Sequence, residues 1–148
     1  MVLVFKGGRC MIKTNIRNLS GDSSEQVCEI IEAHPEWYGE IDNQMMIHCQ
    51  FYGLYLDNNN LAGFFALADW GYGEETVICY LYIFEEYRKH GLFNKIIKWV
   101  KKNRYTYKYI VIGATEKNKI ANEIYSRKFR WIRYDEEEKG NWYLVLER

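Results

Sequence analysis

Apolar positions along this chain change period several times, and each change marks an element. Val27, Cys28, Ile30 and Ile31 recur at helical spacing. This predicts a helix capped by Ser23 or Ser24 and running to His34, with Pro35 ending it. Ahead of it, residues 1–5 and 11–16 read as short strands separated by Gly7-Gly8, and residues 41–48 beyond it as a second short helix. Residues 51–56 and 61–68 are strands around Asp57-Asn58-Asn59-Asn60, a turn whose Asx residues tolerate positive φ. Gly71-Tyr72-Gly73 makes another turn. Residues 77–84 are almost continuously apolar, as in a central strand covered on both faces. Leu92, Phe93, Ile96, Ile97 and Val100 return to helical spacing, with lysines on the far side. A strand follows at 109–112, a helix marked by Ile120, Ala121, Ile124 and Tyr125, then strands at 131–134 and 142–146 joined through Lys139-Gly140-Asn141.

The predicted order is strand, helices, three strands, helix, strand, helix, two strands. That is a mixed α/β fold, with helices packed on a largely antiparallel sheet. The 148 residues contain no repeat or linker, and Pro35 is the only proline. One domain is expected, large enough to bury about two-thirds of its unfolded surface. With 48% hydrophobic residues and thirteen tyrosines, the chain has the composition of a folded protein.

Charge removes some partners from consideration. Lys plus Arg equals Asp plus Glu at 20 each, so global charge points to neither nucleic acid nor membrane. Local runs remain: Lys95, Lys98, Lys101, Lys102 and Arg104 are basic, and residues 135–138 acidic. Cys10, Cys28, Cys49 and Cys79 form no Cys-x-x-Cys pair, and His34, His48 and His90 are not spaced as partner ligands, so no metal site is expected. Residues 1–6 are too short for a signal core or a membrane span. A cytoplasmic protein with reduced thiols is the expectation.

Arg88-Lys89-His90-Gly91-Leu92-Phe93 joins the apolar strand to the amphipathic helix. The first helical N–H groups lack partners inside the helix, and the macrodipole adds positive potential there. Gly91 lets a ligand approach the backbone closely. Arg88, Lys89 and His90 add charge around it, so a pyrophosphate-bearing ligand suits the turn. About two dozen residues later, after another strand, comes Asn118-Lys119-Ile120-Ala121-Asn122-Glu123-Ile124-Tyr125.

This pair of motifs resembles the GNAT superfamily of acyl-CoA N-acyltransferases. There, a strand, an Arg/Gln-x-x-Gly-x-Gly/Ala turn and a helix hold the CoA pyrophosphate; a second strand, an Asn and a helix ending in a Leu-Tyr-like pair follow. Arg88 and Gly91 match the first motif, with Phe93 in place of its small third residue. Asn118 and Tyr125 match the second, and Phe129-Arg130-Trp131 stands where the family has Gly-Phe. The likeness covers roughly residues 76–131 well and the N-terminal half in outline. The element order matches too. The fold implied is a GNAT-like mixed sheet flanked by helices and splayed at its central strands.

The resemblance implies acetyl-CoA as acyl donor and an amine as acceptor, with no metal. The backbone of Arg88, Lys89, His90, Gly91, Leu92 and Phe93 would hold the pyrophosphate. Ile83, eight residues before Gly91, would lie where the central strand splays, its backbone against the pantetheine and acyl carbonyl. Asn118 would hydrogen-bond the pantetheine arm or else cap its own helix. Tyr125 would protonate the leaving sulfur as general acid, its phenol being neutral at pH 7; otherwise it is a core tyrosine. Many relatives carry a Glu on the central strand as base, but residues 77–83 contain no carboxylate. Glu75 is the nearest candidate, with water and backbone carbonyls the alternative. Trp37, Tyr38, Glu40, Asp42 and Trp70 would form an aromatic, acidic pocket for a cationic amine, or serve as lid and core. The acceptor is then a small amine or a protein amine. A GNAT-like module that binds without catalysing is a second reading. Transfer onto a nucleic-acid base is a third, which the lysine-rich helix permits. No membrane partner is implied; the aromatic C-terminal hairpin leaves a homodimer open.

Overall fold

A computed structural model describes residues 3–6, 9–38, 48–70, 74–136 and 139–145. Its elements run β1 (Leu3–Lys6), β2 (Arg9–Ile12), β3 (Asn15–Asn18), α1 (Gly21–Ala33), α2 (Pro35–Tyr38), β4 (Gln50–Tyr55), β5 (Leu61–Trp70) and β6 (Glu75–Ile83). After a short 3-10 turn at Glu85–Tyr87 come α3 (Leu92–Asn103), β7 (Tyr109–Thr115), α4 (Lys119–Lys128), β8 (Arg130–Asp135) and β9 (Gly140–Leu144). Seven strands form one sheet in the order β3-β4-β5-β6-β7-β9-β8, and β1-β2 pair as a separate hairpin. Every neighbouring pair is antiparallel except β6–β7. The expected mixed, mostly antiparallel architecture is therefore present.

The core lies on both faces of this sheet; side chains of β5 alternate between them, with the phase reset at Ala62, the extra residue of a bulge against β4. Ala62, Phe65 and Leu67 point to one face, where they meet Ile96, Ile97 and Val100 of α3 and Tyr125 of α4. Leu61, Phe64 and Ala66 point to the other, where they meet Val27 and Ile31 of α1. Phe64, Phe65, Ile96, Ile110 and Val100 are completely buried. Among the described residues no helix is long and apolar enough to cross a membrane.

Several boundaries differ from the pattern-based reading, each for a local reason. The run at 11–16 is not one strand: it divides at Lys13-Thr14 between β2 and β3, which belong to different sheets. The first helix is capped at Ser20, not Ser23 or Ser24. Tyr55 Oη accepts the Ser20 N–H at 2.9 Å and lies 3.1 Å from both Ser20 Oγ and Ser23 Oγ. That cluster ties the helix start to the sheet and turns Ser23 inward. Pro35 does more than end α1: it is the first residue of α2, a position where its missing N–H costs nothing. Gly140 and Asn141 already belong to β9, and the left-handed turn residue is Lys139 at φ 48°. The Asx turn holds, with Asn59 at φ 65°. The expected helix at 41–48, apart from His48, and the turn at 71–73 lie outside the described residues.

Candidate active site

β6 and β7 start as a paired couple and then separate. Their parallel ladder runs from Glu75↔Tyr109 to Ile78↔Ile112 and stops there, although β6 continues to Ile83 and β7 to Thr115. A bulge coincides with the separation. Ile78 opposes Leu67 and Tyr80 opposes Ala66, which leaves Cys79 as the extra residue on β6. Cys79 and Tyr80 consequently both face the α1 side, and the strand's alternation changes phase. The split begins five residues earlier than Ile83, where the family comparison put it.

The split opens a slot through the sheet. Ile78, Cys79 and Leu81 of β6 line one wall and Ile112, Gly113 and Ala114 of β7 the other. Asn118 and Tyr125 close it from the α3–α4 face, and Trp37 and Tyr38 from the α1–α2 face. Two reactants can therefore meet in it from opposite sides of the sheet. Its free volume is about 30 Å³, the share of one water.

Tyr125 reaches this slot from the second turn of α4. Its ring is 8% exposed and packs on Phe93 (5.6 Å between centroids, 21°), Phe129 and Tyr143. Burial pushes its phenol above the ordinary tyrosine value, so the proton stays on oxygen. Tyr38 enters from the other face and donates its hydroxyl to the Leu81 carbonyl at 2.7 Å. Burial, then the neighbouring phenols of Tyr125 and Tyr82, push Tyr38 up as well. The Thr115 hydroxyl donates to the Glu36 carbonyl. α2 is thus pinned to both sides of the split, to β6 through Tyr38 and to β7 through Glu36.

The basic turn sits at the α3 end of the same side. Gly91 is the N-cap of α3 in left-handed conformation (φ 77°, ψ 11°) and makes no side-chain cap. Lys89 is left-handed too, at φ 64°. Left-handed residues set among ordinary ones are the backbone pattern of anion-binding nests, or cradles, in which consecutive N–H groups can share one ligand. A Cβ at Gly91 would meet nothing within 4 Å, so the cradle is open. Arg88 and Lys89 are exposed, while Leu92 is buried in the core. The Arg88 Nε donates to the Ile83 carbonyl at 2.8 Å, and its guanidinium lies 5.4 Å from the Tyr82 ring centroid. Phe93 does not crowd the cradle. Its ring turns inward onto Tyr125 and Phe129, linking the turn mechanically to the slot.

The remaining sequence candidates are placed as follows. Asn118 lines the slot and also caps α4, accepting the Ala121 N–H at 3.2 Å. Glu75 opens β6 at its fully paired end, opposite Trp70 and Tyr109. About 10 Å of strand separates it from Ile78 and about 20 Å from Leu81, at about 3.3 Å per residue. Glu75 and the backbone of Trp70 lie at the paired end of their strands, and the split opens at the other end. Trp37 and Tyr38 reach it; Glu40 and Asp42 lie outside the described residues. Asn122 was missed by pattern reading. It donates to the Thr115 carbonyl at 2.8 Å and accepts from Tyr143 Oη at 2.8 Å and Asn141 Nδ2 at 2.9 Å, locking α4 to β7 and β9. A polar residue four positions after Asn118 on an inward helix face was its only signal.

An aromatic wall faces the α2 side. His34 and Trp37 stack at 4.1 Å and 4°, with Tyr82 at 5.7 Å from His34 and 6.3 Å from Trp37. Glu36 stands on its rim, 3.2 Å from His34 Nδ1.

Residues 16–129 match the family described as Acetyltransferase (GNAT) family. No curated protein matches the chain. Solved structures similar in fold include a GNAT-family acetyltransferase from Staphylococcus aureus, 17% identical, with TM-score 0.63 over 90% of this chain and 100% of that one. Another is the N-acetylglutamate synthase of Neisseria gonorrhoeae complexed with coenzyme A and N-acetyl-glutamate, 14% identical, with TM-score 0.72 over 91% of this chain and 36% of that one. A third is the spermidine N-acetyltransferase of Vibrio cholerae in complex with CoA and spermine, 11% identical, with TM-score 0.65 over 88% and 92%.

Proposed function

The chain belongs to the GNAT acetyltransferase family, a family of acyl-CoA-dependent N-acyltransferases, and on that footing we propose that it acetylates a cationic amine at the slot between β6 and β7. The observation that carries this reading is the slot itself, reached by a phosphate cradle and a neutral phenol on one face and by an aromatic wall on the other.

The pyrophosphate of acetyl-CoA rests on the N–H groups at the start of α3, with Arg88 and Lys89 screening its charge. The pantetheine arm runs into the slot past Asn118. The amine crosses from the α2 side and gives up one proton to water, and its neutral nitrogen then attacks the thioester carbonyl carbon. The C–N bond forms, the C–S bond breaks, and Tyr125 donates its proton to the departing sulfur. No carboxylate is among the residues lining the slot. The proton released as the amide forms therefore passes to water held by backbone carbonyls of β6, Tyr125 regains its own proton from that water, and Glu75 takes no part in the step. Trp37, Tyr82 and the Glu36 carboxylate favour a cationic acceptor. The polyamine named in the Vibrio cholerae structure is one of that class.

Thiol release from acetyl-CoA, measured against spermidine, a monoamine, glutamate and a lysine peptide, tests the reading. Turnover highest with a polyamine or monoamine, and unchanged in Glu75→Gln, is the expected result. Binding of acetyl-CoA with no turnover of any amine would make the chain a binding module. Preference for glutamate would reverse the acceptor class.

A further inference from the structure

Cationic side chains are spread unevenly in this chain of zero net charge. Residues 87–115 contain eight Lys and Arg and no carboxylate. Two of the eight flank the cradle. Three others, Lys95, Lys98 and Lys102, converge with Thr14, Asn15, Ile16 and Trp99 on a groove of about 330 Å³ between β3 and α3. That volume is within the range of small-ligand pockets.

The groove is separate from the coenzyme cradle. α3 presents Phe93 and Asn94 toward α4, where Lys128 Nζ lies 5.7 Å from the Phe93 ring centroid and donates to Asn94 Oδ1 at 3.4 Å. Lys95, Lys98 and Lys102 occupy the opposite flank, toward β3.

Its charges lack compensation. No residue lining it is acidic, and among the described residues none of the three lysines is in an ion pair. The helix dipole accounts for Lys102 in the last turn, but Lys95 is in the first turn, at the end where a cation is disfavoured. Lys95 is also half-buried, and that burial pulls its ammonium below the ordinary lysine value. Its Nζ is held by the Thr14 carbonyl and, at 2.9 Å, by Thr14 Oγ1. An ammonium has three donors, so one remains for a ligand. Lys98 and Lys102 are exposed. At 1.5 Å rise per residue the three lysines extend over about 10 Å of helix, a row and not a point. Trp99, packed on Tyr52 and Phe65, supplies an apolar floor.

We propose that this groove is a second anion site, which takes a row of linked phosphates such as an oligophosphate or the triphosphate tail of a nucleotide. Lys95 is its fixed anchor, and Lys98 and Lys102 close on the ligand from solvent.

Calorimetry with inorganic triphosphate and with ATP tests this in a Gly91→Asp background, which removes the coenzyme cradle from competition. Both probes are expected to bind at one site per chain. Lys98→Glu/Lys102→Glu is expected to weaken both by at least about tenfold, equivalent to roughly 1.4 kcal/mol, without changing the melting temperature of the free protein. Tighter binding of ATP than of triphosphate assigns the Trp99 floor to a base; equal binding assigns the site to the phosphates alone. In the protein with Gly91 intact, saturating CoA leaves this binding in place. Absence of triphosphate and ATP binding, binding undiminished by the lysine substitutions, or displacement of both probes by CoA would overturn the proposal. None of these results depends on acetyl transfer, so the site stands or falls apart from the acceptor reading.

Discussion

Tyr125 belongs to the core and to the slot at once. Its ring is fixed by Phe93, Phe129 and Tyr143, and the same residue lines the split. Tyr125→Phe keeps the ring packing and removes the proton donor. Turnover is expected to fall by roughly ten- to ten-thousand-fold while CoA affinity holds; a wild-type rate would leave Tyr125 as packing only. The direction of its shift has a second consequence. A phenol whose folded pKa is raised above its unfolded value of about 10 contributes stability that is complete below pH 10 and is lost as pH rises toward the folded value. Tyr38 is shifted the same way. The protein is therefore expected to keep both stability and the acid's proton through pH 9 and to lose stability above about pH 10. A basic limb of the rate profile that belongs to the enzyme and falls between pH 7 and 9 would contradict this. Glu75 opens β6 at its paired end, away from the split, so Glu75→Gln is expected to leave turnover unchanged.

At the scale of elements, α2 is the wall of the slot on the amine's side. β6 and β7 are held in the sheet, and α4 is locked by Asn122. α2 has four residues, and its ties across the split are the Tyr38 bond to Leu81 and the Glu36 bond from Thr115. Tyr38→Phe removes the first, a hydrogen bond of about 0.5–1.5 kcal/mol net. The KM for the amine is then expected to change roughly two- to tenfold while acetyl-CoA affinity holds. An unchanged KM would mean that α2 does not bound the amine's path. Pattern reading found the long elements well, because α3 and β6 carry unbroken periodicity. It did not find α2. Four residues after a proline carry no period, and their position is set by two hydrogen bonds to distant strands. It also missed the bulge at Cys79, since an extra residue in an apolar run leaves the run apolar.

At the scale of the molecule, the sheet separates the two mouths of the slot. The cradle, α3 and α4 lie on one side, α1, α2 and the aromatic wall on the other, and the β6–β7 split is the passage between them. The cradle was legible in the sequence because it is local: six consecutive residues and a glycine at the helix start. The passage was only partly legible, since it depends on where two strands 34 residues apart, Glu75 and Tyr109, cease to pair. On the function proposed, acetyl-CoA is held by the backbone cradle around Gly91. Asp is among the few residues that tolerate the left-handed conformation found there, and its Cβ has open space, so Gly91→Asp is expected to fold while setting a carboxylate where the pyrophosphate rests. Calorimetric titration of acetyl-CoA into wild type and Gly91→Asp is the most direct test. The wild type should bind one acetyl-CoA per chain, and the variant at least about a hundredfold more weakly, a difference of roughly 2.7 kcal/mol. Equal affinity in a folded Gly91→Asp protein would contradict the account.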